Sequence, residues 1–258
     1  MHWSTREIRL AAALVEAADT LSDGFDTAHY LQRVADHCVE LLAAQAAGIM
    51  LIDGGRTISL AGSSRHEAIA IELLAAQHRG GPCLDSYGSG RPVPAVSIAV
   101  AHADSRWPAF TERALAHDVA ATFAVPLRRR ETLLGALNVF VPTLPDSGSP
   151  AGDQELLVAQ ALADGTAVGL QNHRAFTEYR TLSGQLQEAL SSRVRIEQAK
   201  GMLAERWNTR ADLAFVALRQ YARRRRLPLD RVATAVIERV ADDAELRREA
   251  EGTAGGPA

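Results

Sequence analysis

Apolar residues recur at steps of three and four along residues 7–21, where Ile8, Leu10, Ala11, Leu14, Ala18 and Leu21 fall on one helical face. Asp26-Thr27 can cap a second helix with Tyr30, Leu31, Val34, Cys38, Leu41 and Leu42 turned inward. The period then changes. Residues 47–52 form a short apolar run that stops at Asp53-Gly54-Gly55, a hairpin turn signal, and residues 57–61 alternate as its partner strand. A third helix fits residues 67–77. Gly80-Gly81-Pro82 and Gly88-Ser89-Gly90-Arg91-Pro92 predict a loop between them. Residues 96–100 are strand-like, and residues 108–117 fit a short helix. Residues 121–127 and 133–141 form a hairpin across Arg128-Arg129-Arg130-Glu131. The sum is an antiparallel sheet with helices on one face, the α+β class.

Residues 142–152 are rich in Pro, Gly and Ser and close that unit. From Asp153 onward helical periodicity runs for about fifty residues without a proline. Within it Tyr179, Leu182, Leu186, Ala189, Arg193, Ile196, Lys200 and Leu203 alternate steps of three and four, which is heptad spacing. Two readings fit this segment: a seam that pairs with a second copy, and a helix that packs back on its own sheet.

Three short helices follow. Ile196, Ala199 and Leu203 share a face of the first. Gly201 inside that helix costs about 1 kcal/mol relative to Ala, which suits a place where a neighbouring helix passes closely. Trp207-Asn208-Thr209 ends the helix, and Thr209 is a candidate cap for the next. Phe215, Leu218 and Ala222 face inward on the second helix, while Arg219, Arg223 and Arg226 form a stripe on its other side, widened by Arg224 and Arg225. Pro228 opens a third helix with Val232, Ala233, Val236, Ile237 and Val240 inward.

Charge sharpens this division. The chain of 258 residues has a net charge of -3. Residues 193–240 hold twelve Lys+Arg against five Asp+Glu, and the remainder holds sixteen against twenty-six. A basic end on an acidic body suits a polyanion that only the end meets. A solvated helix surface, with cations favoured at a helix C-terminus, explains the same charges.

No apolar run reaches the roughly 18 residues of a membrane span, and the N-terminus lacks the plan of a secretory signal, so the chain reads as cytoplasmic. Cys38 and Cys83 are then expected as free thiols. His29, His37, His66, His78, His102, His117 and His173 are scattered without metal-ligand spacing. Nucleophile-elbow and phosphate-loop motifs are lacking too. These features disfavour an enzyme and predict no metal site.

The residues also carry two resemblances. The series Gly81-Pro82-Cys83-Leu84-Asp85-Ser86-Tyr87-Gly88, Asp104-Ser105-Arg106-Trp107-Pro108-Ala109-Phe110, Val125-Pro126-Leu127-Arg128 and Leu134-Gly135-Ala136-Leu137-Asn138-Val139-Phe140 resembles GAF domains, in the form found in actinobacterial regulators. The resemblance implies a sheet with a pocket on one face, often for a small molecule, and dimerisation through end helices. Its cofactor or ligand is unknown from sequence, because neither the cyclic-nucleotide element nor the bilin-attachment Cys-His dipeptide is present. Cys83, Asp85, Tyr87, Arg106 and Trp107 are the candidate pocket residues. Trp107 and Phe110 fit a core equally well, and Asp104 and Arg106 a loop. A redox role for Cys83 would require a depressed thiol pKa.

The second series is Ile196-Glu197-Gln198-Ala199-Lys200-Gly201-Met202-Leu203, then Ala214-Phe215-Val216-Ala217-Leu218-Arg219, then Leu229-Asp230-Arg231-Val232-Ala233. It closely resembles the ANTAR domain. The resemblance implies binding of RNA stem-loops in nascent transcripts so that a terminator does not form. Lys200, Arg219 and Arg223 are the first candidates for RNA contacts, followed by Arg195, Arg224, Arg225 and Arg226. The run of arginines at 223–226 departs from the polar residues of many members and implies more electrostatic, less selective binding.

The expected organisation is an N-terminal helix (1–24), a GAF sensory domain (25–172), a helical linker (173–192), an ANTAR RNA-binding domain (193–245) and a disordered tail (246–258). The expected protein is a homodimeric antitermination regulator. Its signal would be a small-molecule ligand or an upstream kinase, with no membrane partner. A DNA-binding regulator using the basic helices as a helix-turn-helix is the alternative.

Overall fold

A computed structural model describes residues 4–144 and 150–254. The chain divides into two compact units, Met1–Phe176 and Thr177–Ala258. The first unit begins with α1 (Thr5–Ala18) and α2 (Thr27–Leu42). Ser4 caps α1 through a capping box with Glu7, and the Asp26 carboxylate accepts from the Ala28 N–H to cap α2. Strands β1 (Ala46–Asp53) and β2 (Arg56–Gly62) follow as a hairpin around Gly54-Gly55, both with positive φ. Then come α3 (Glu67–Ala75), α4 (Pro82–Ser89), β3 (Val93–Ser97), α5 (Ile98–Ala103) and α6 (Pro108–Ala116). The hairpin of β4 (Ala121–Arg129) and β5 (Thr132–Val141) completes a five-stranded sheet of order β2-β1-β5-β4-β3, antiparallel throughout.

The alternation of side chains along the strands sends residues to two cores. Ile49 and Leu51, with Phe123, Val125, Leu127, Leu137 and Val139, pack beneath α2 and the first part of α7 (Pro150–Arg206), which supplies Ala159, Leu162 and Ala163. On the opposite face Ala46, Ala124 and Phe140 meet Leu73, Ile98 and Phe110 from α3, α5 and α6. Met50, Ile52 and Ala136 meet Leu74 and Cys83 from α3 and α4. Helices therefore cover both faces, not one. This is why β1, β4 and β5 read as near-continuous apolar runs: neither side of them faces water. At Gly135 β5 crosses so close to β1 that a Cβ would stand 2.0 Å from the Met50 carbonyl oxygen.

The glycine-flanked stretch after residue 80, expected as loop, is helical. Pro82 at the first helical position and the left-handed Gly90 just past the end bracket α4, so the Pro and Gly mark its termini. Similarly, residues 98–100 leave the sheet. Ser97 caps α5 through its hydroxyl, and the chain turns into helix where a strand was expected.

Within the first unit the end of α1, the turn after it and α2 grip α7. Thr20 Oγ1 donates to the Gly169 carbonyl at 2.8 Å, and Tyr30 Oη donates to the Ala17 carbonyl of α1 at 2.7 Å and lies 3.4 Å from the Thr166 carbonyl of α7. His173 Nδ1 lies 2.8 Å from the Thr20 carbonyl, and its ring stacks on Phe25 at 4.1 Å.

In the second unit the end of α7 packs with α8 (Ala211–Arg225), α9 (Leu229–Ile237) and α10 (Asp243–Ala254). Ala199, Leu203 and Trp207 meet Ala214, Ala217, Leu218 and Ala222 of α8, Val232, Ala233 and Val236 of α9, and Leu246 of α10. Five expectations change here. Phe215, expected inward on α8, is only partly buried and stands outside this core, and Val240, expected inward on the third helix, lies beyond the end of α9 and is 73% exposed. Arg210, not Thr209, is the residue before α8, and no side chain caps that helix. Gly201 faces open space, with no atom within 4 Å of a built Cβ, so no helix passes it closely. Residues 246–254, expected as tail, belong to α10, whose Leu246 is fully buried. Residues 1–3, 145–149 and 255–258, which fall in the expected N-terminal helix, the linker at 142–152 and the tail, lie outside the described residues. Among the described residues no helix is long and apolar enough to cross a membrane.

Candidate functional site

The basic residues of the second unit occupy several distinct settings. On α8 the buried positions Ala214, Ala217, Leu218 and Ala222 define the inner face. Arg219 and Arg223, one turn apart, project from the exposed side and form no ion pair with the described residues. Arg224 is exposed beside them. Arg226 ends the helix in the left-handed conformation, φ 54°. Its backbone turn releases the chain toward Pro228.

Arg225 differs from its neighbours. Its Nη2 donates to both oxygens of Glu245, at 2.5 and 2.6 Å, and its guanidinium lies 5.7 Å from the Tyr221 ring centroid. In a separate pair, Arg206 Nη1 donates to Asp243 Oδ1 at 2.7 Å, and the Trp207 indole donates to Asp243 Oδ2 at 3.1 Å. Partial burial works against ionisation of Asp243, but Trp207 and Arg206 outweigh it and hold the carboxyl below its ordinary range.

The two candidates on α7 stand apart. Arg195 and Lys200 are five residues apart, about 140° around a helix, so they flank the apolar stripe of Ala199 and Leu203. Arg195 reaches Asp230 at the start of α9 at 3.5 Å, and its Nε is buried without an acceptor. Lys200 pairs with Glu197 on its own helix, with its stem along the stripe edge. Thus Arg219 and Arg223 share one open surface, Arg195 and Arg225 cross-link helices, and Lys200 lies on a separate edge of α7.

Earlier along α7, Tyr179, Leu182, Leu186, Leu190 and Val194 are all more than half exposed. Their spacing of three, four, four and four keeps them on one side of the helix. Leu190 and Val194 belong to this stripe, where heptad spacing predicts Ala189 and Arg193.

The candidate pocket residues of the first unit also separate. Cys83 is fully buried, and burial pushes its thiol up, opposite to the depression that reactivity requires. Trp107 is 7% exposed in a left-handed conformation just before α6. Its indole donates to Asp85 Oδ2 at 3.1 Å, and the Arg106 guanidinium covers its ring at 3.9 Å. Tyr87 packs against the Met50–Cys83 cluster. Only Asp85 and Arg106 face a shallow open groove, with Leu84, Ser89, Pro92 and Pro94. Deeper, Gln77 is fully buried: its Oε1 accepts from the Cys83 N–H at 2.8 Å, while its Nε2 has no partner. Among the described residues no cluster of His, Cys, Asp and Glu could hold a metal ion.

Sequence reading missed Asp243, Glu245 and the grip of Thr20, Tyr30 and His173 on α7. A signal for the first pair was present: Asp242 and Glu245 stand at capping distance before Leu246, and the Glu245 N–H donates to the Asp242 carboxylate at 3.0 Å.

Comparison with known proteins agrees with this division. Residues 26–171 match the model of the GAF domain, and residues 184–237 match that of the ANTAR domain. No curated protein matches the chain. Among solved structures, a domain of a two-component sensor histidine kinase protein from Sinorhizobium meliloti is 18% identical, covering 61% of this chain and 99% of its own, with a TM-score of 0.44. The GAF domain from an Acinetobacter phosphoenolpyruvate-protein phosphotransferase is 14% identical over 67% of this chain and 97% of its own, with a TM-score of 0.45. That from Coxiella burnetii is 18% identical over 67% and 98%, with a TM-score of 0.44. The chain belongs to the GAF family and carries an ANTAR domain after its GAF domain.

Proposed function

We propose that this chain is an RNA-binding antitermination regulator acting in the cytoplasm, in which the GAF domain senses a signal and the ANTAR domain binds stem-loops in nascent transcripts. The observation that carries the reading is the open pair Arg219 and Arg223 on α8, within the ANTAR match. Exposed guanidiniums one turn apart suit adjacent phosphates and splayed loop bases, and arginine can fork onto phosphate oxygens. Gly201 adds support. An exposed helical glycine with free space above it beside Lys200 lets a ligand approach the backbone closely.

The exposed stripe Tyr179, Leu182, Leu186, Leu190 and Val194 supports pairing with a second copy. The signal reaches the GAF domain as a small molecule or through an upstream kinase, and it shifts a pre-existing equilibrium between states of the dimer. Gel shifts with a synthetic two-hairpin RNA and with duplex DNA test the output. Retention of the RNA supports the reading; exclusive retention of duplex DNA assigns the module to DNA.

A further inference from the structure

Helix α10 begins beyond the ANTAR match, which ends at residue 237. Leu246 anchors it in the core, and its N-terminal turn places Asp243 and Glu245 on two arginines. Glu245 offers both oxygens to Arg225 Nη2, and Asp243 divides its two oxygens between Arg206 and the Trp207 indole. Guanidinium donors meeting anionic oxygens are what phosphate recognition uses, and Arg225 already meets a pair of them. The Arg225 side chain is still 52% exposed, so its ion pair adds little to folding. Its larger effect is to neutralise a cation on the same helix as Arg219 and Arg223.

We propose that α10 is an acidic cap in cis, whose Glu245 and Asp243 carboxylates each mask one phosphate-binding arginine, Arg225 and Arg206 respectively. The inference rests on the RNA-binding reading. RNA engages Arg219 and Arg223 first and gains Arg225 or Arg206 only by displacing its carboxylate. The cap therefore lowers affinity for any polyanion and favours an RNA long enough to reach both places.

The test uses the full chain and a two-hairpin RNA with randomised loops, titrated at several salt concentrations. E245Q keeps the shape of the side chain and removes its charge. It is expected to bind about three- to fivefold more tightly, the size of one surface ion pair. Its salt slope should be steeper by about 0.7 to 0.9, one added phosphate contact. R225A combined with E245Q is expected to return both quantities to the wild-type values. A D243N variant with the same melting temperature as wild type gives a second, independent gain. Tight binding by wild type with no gain in E245Q overturns the cap while leaving the RNA reading in place. No binding by either protein overturns both.

Discussion

The indole N–H of Trp107 donates to the Asp85 carboxylate across 3.1 Å, joining α4 to the start of α6. Trp107 is almost wholly buried, so its indole N–H has few other acceptors. D85A is expected to strand the indole and destabilise the protein by about 1–3 kcal/mol. D85N, which keeps an acceptor, should cost less. Urea unfolding monitored by tryptophan fluorescence checks the ordering. Equal stability of D85A and wild type contradicts it.

Gly169 touches the turn between α1 and α2 so closely that a Cβ would stand 2.1 Å from the Ala17 carbonyl oxygen and 2.5 Å from Tyr30 Oη. G169A must push α1 and α7 apart in the first unit. The expected cost is about 1–3 kcal/mol, read as a lower thermal midpoint. Y30F removes the hydroxyl that donates to Ala17 and should cost about 1 kcal/mol. A G169A protein with an unchanged midpoint contradicts the grip described above.

A hydrogen bond from His117 holds the Glu72 carboxyl below its ordinary value of 4.5, aided by Arg113, with slight desolvation opposing. A carboxyl lowered on folding contributes stability that is present above its unfolded value and lost as pH falls through its folded value. The stability difference between wild type and E72Q should therefore be level above about pH 5 and shrink below about 4.5. Denaturant midpoints of both proteins across pH 3–7 measure it. A difference that grows on acidification contradicts the sign.

Gly201 offers a separation of folding from binding. Alanine meets nothing within 4 Å, so G201A is expected to stabilise the second unit by about 1 kcal/mol. If RNA approaches the backbone here, the same substitution weakens RNA binding. Thermal unfolding and RNA titration of one protein preparation read both effects. A stabilised variant with undiminished RNA affinity removes Gly201 from the interface.

Much of the fold was legible because side-chain periodicity reports burial directly. The β1–β2 and β4–β5 hairpins and the inner face of α2 follow from alternation, turn glycines and apolar stripes, whereas on α8 small alanines at 214 and 217, not the larger Phe215, join Leu218 and Ala222 in the core. The errors have a common origin. Pro82 and Gly90 bound α4 from outside, and a Pro/Gly pair that terminates a helix looks like one that interrupts a loop. Part of the cover on the second sheet face is hidden for the same reason, since the α4 and α5 segments carry loop and strand signals, while periodicity alone does not say which face α3 and α6 cover. In the second unit the arginine run at 223–226 was visible, but its partners were not. Glu245 lies twenty residues from Arg225 in a polar segment, and only packing brings them together. Arg219 and Arg223 remained together because helical spacing alone places them on one face.

The most direct test of the account is the affinity of the R219A/R223A chain for a two-hairpin RNA, compared with wild type at matched stability. The expected result is a loss of at least tenfold and a salt slope shallower by about 1.4 to 1.8, with two phosphate contacts removed. Unchanged affinity and slope would contradict the assignment of this surface to RNA.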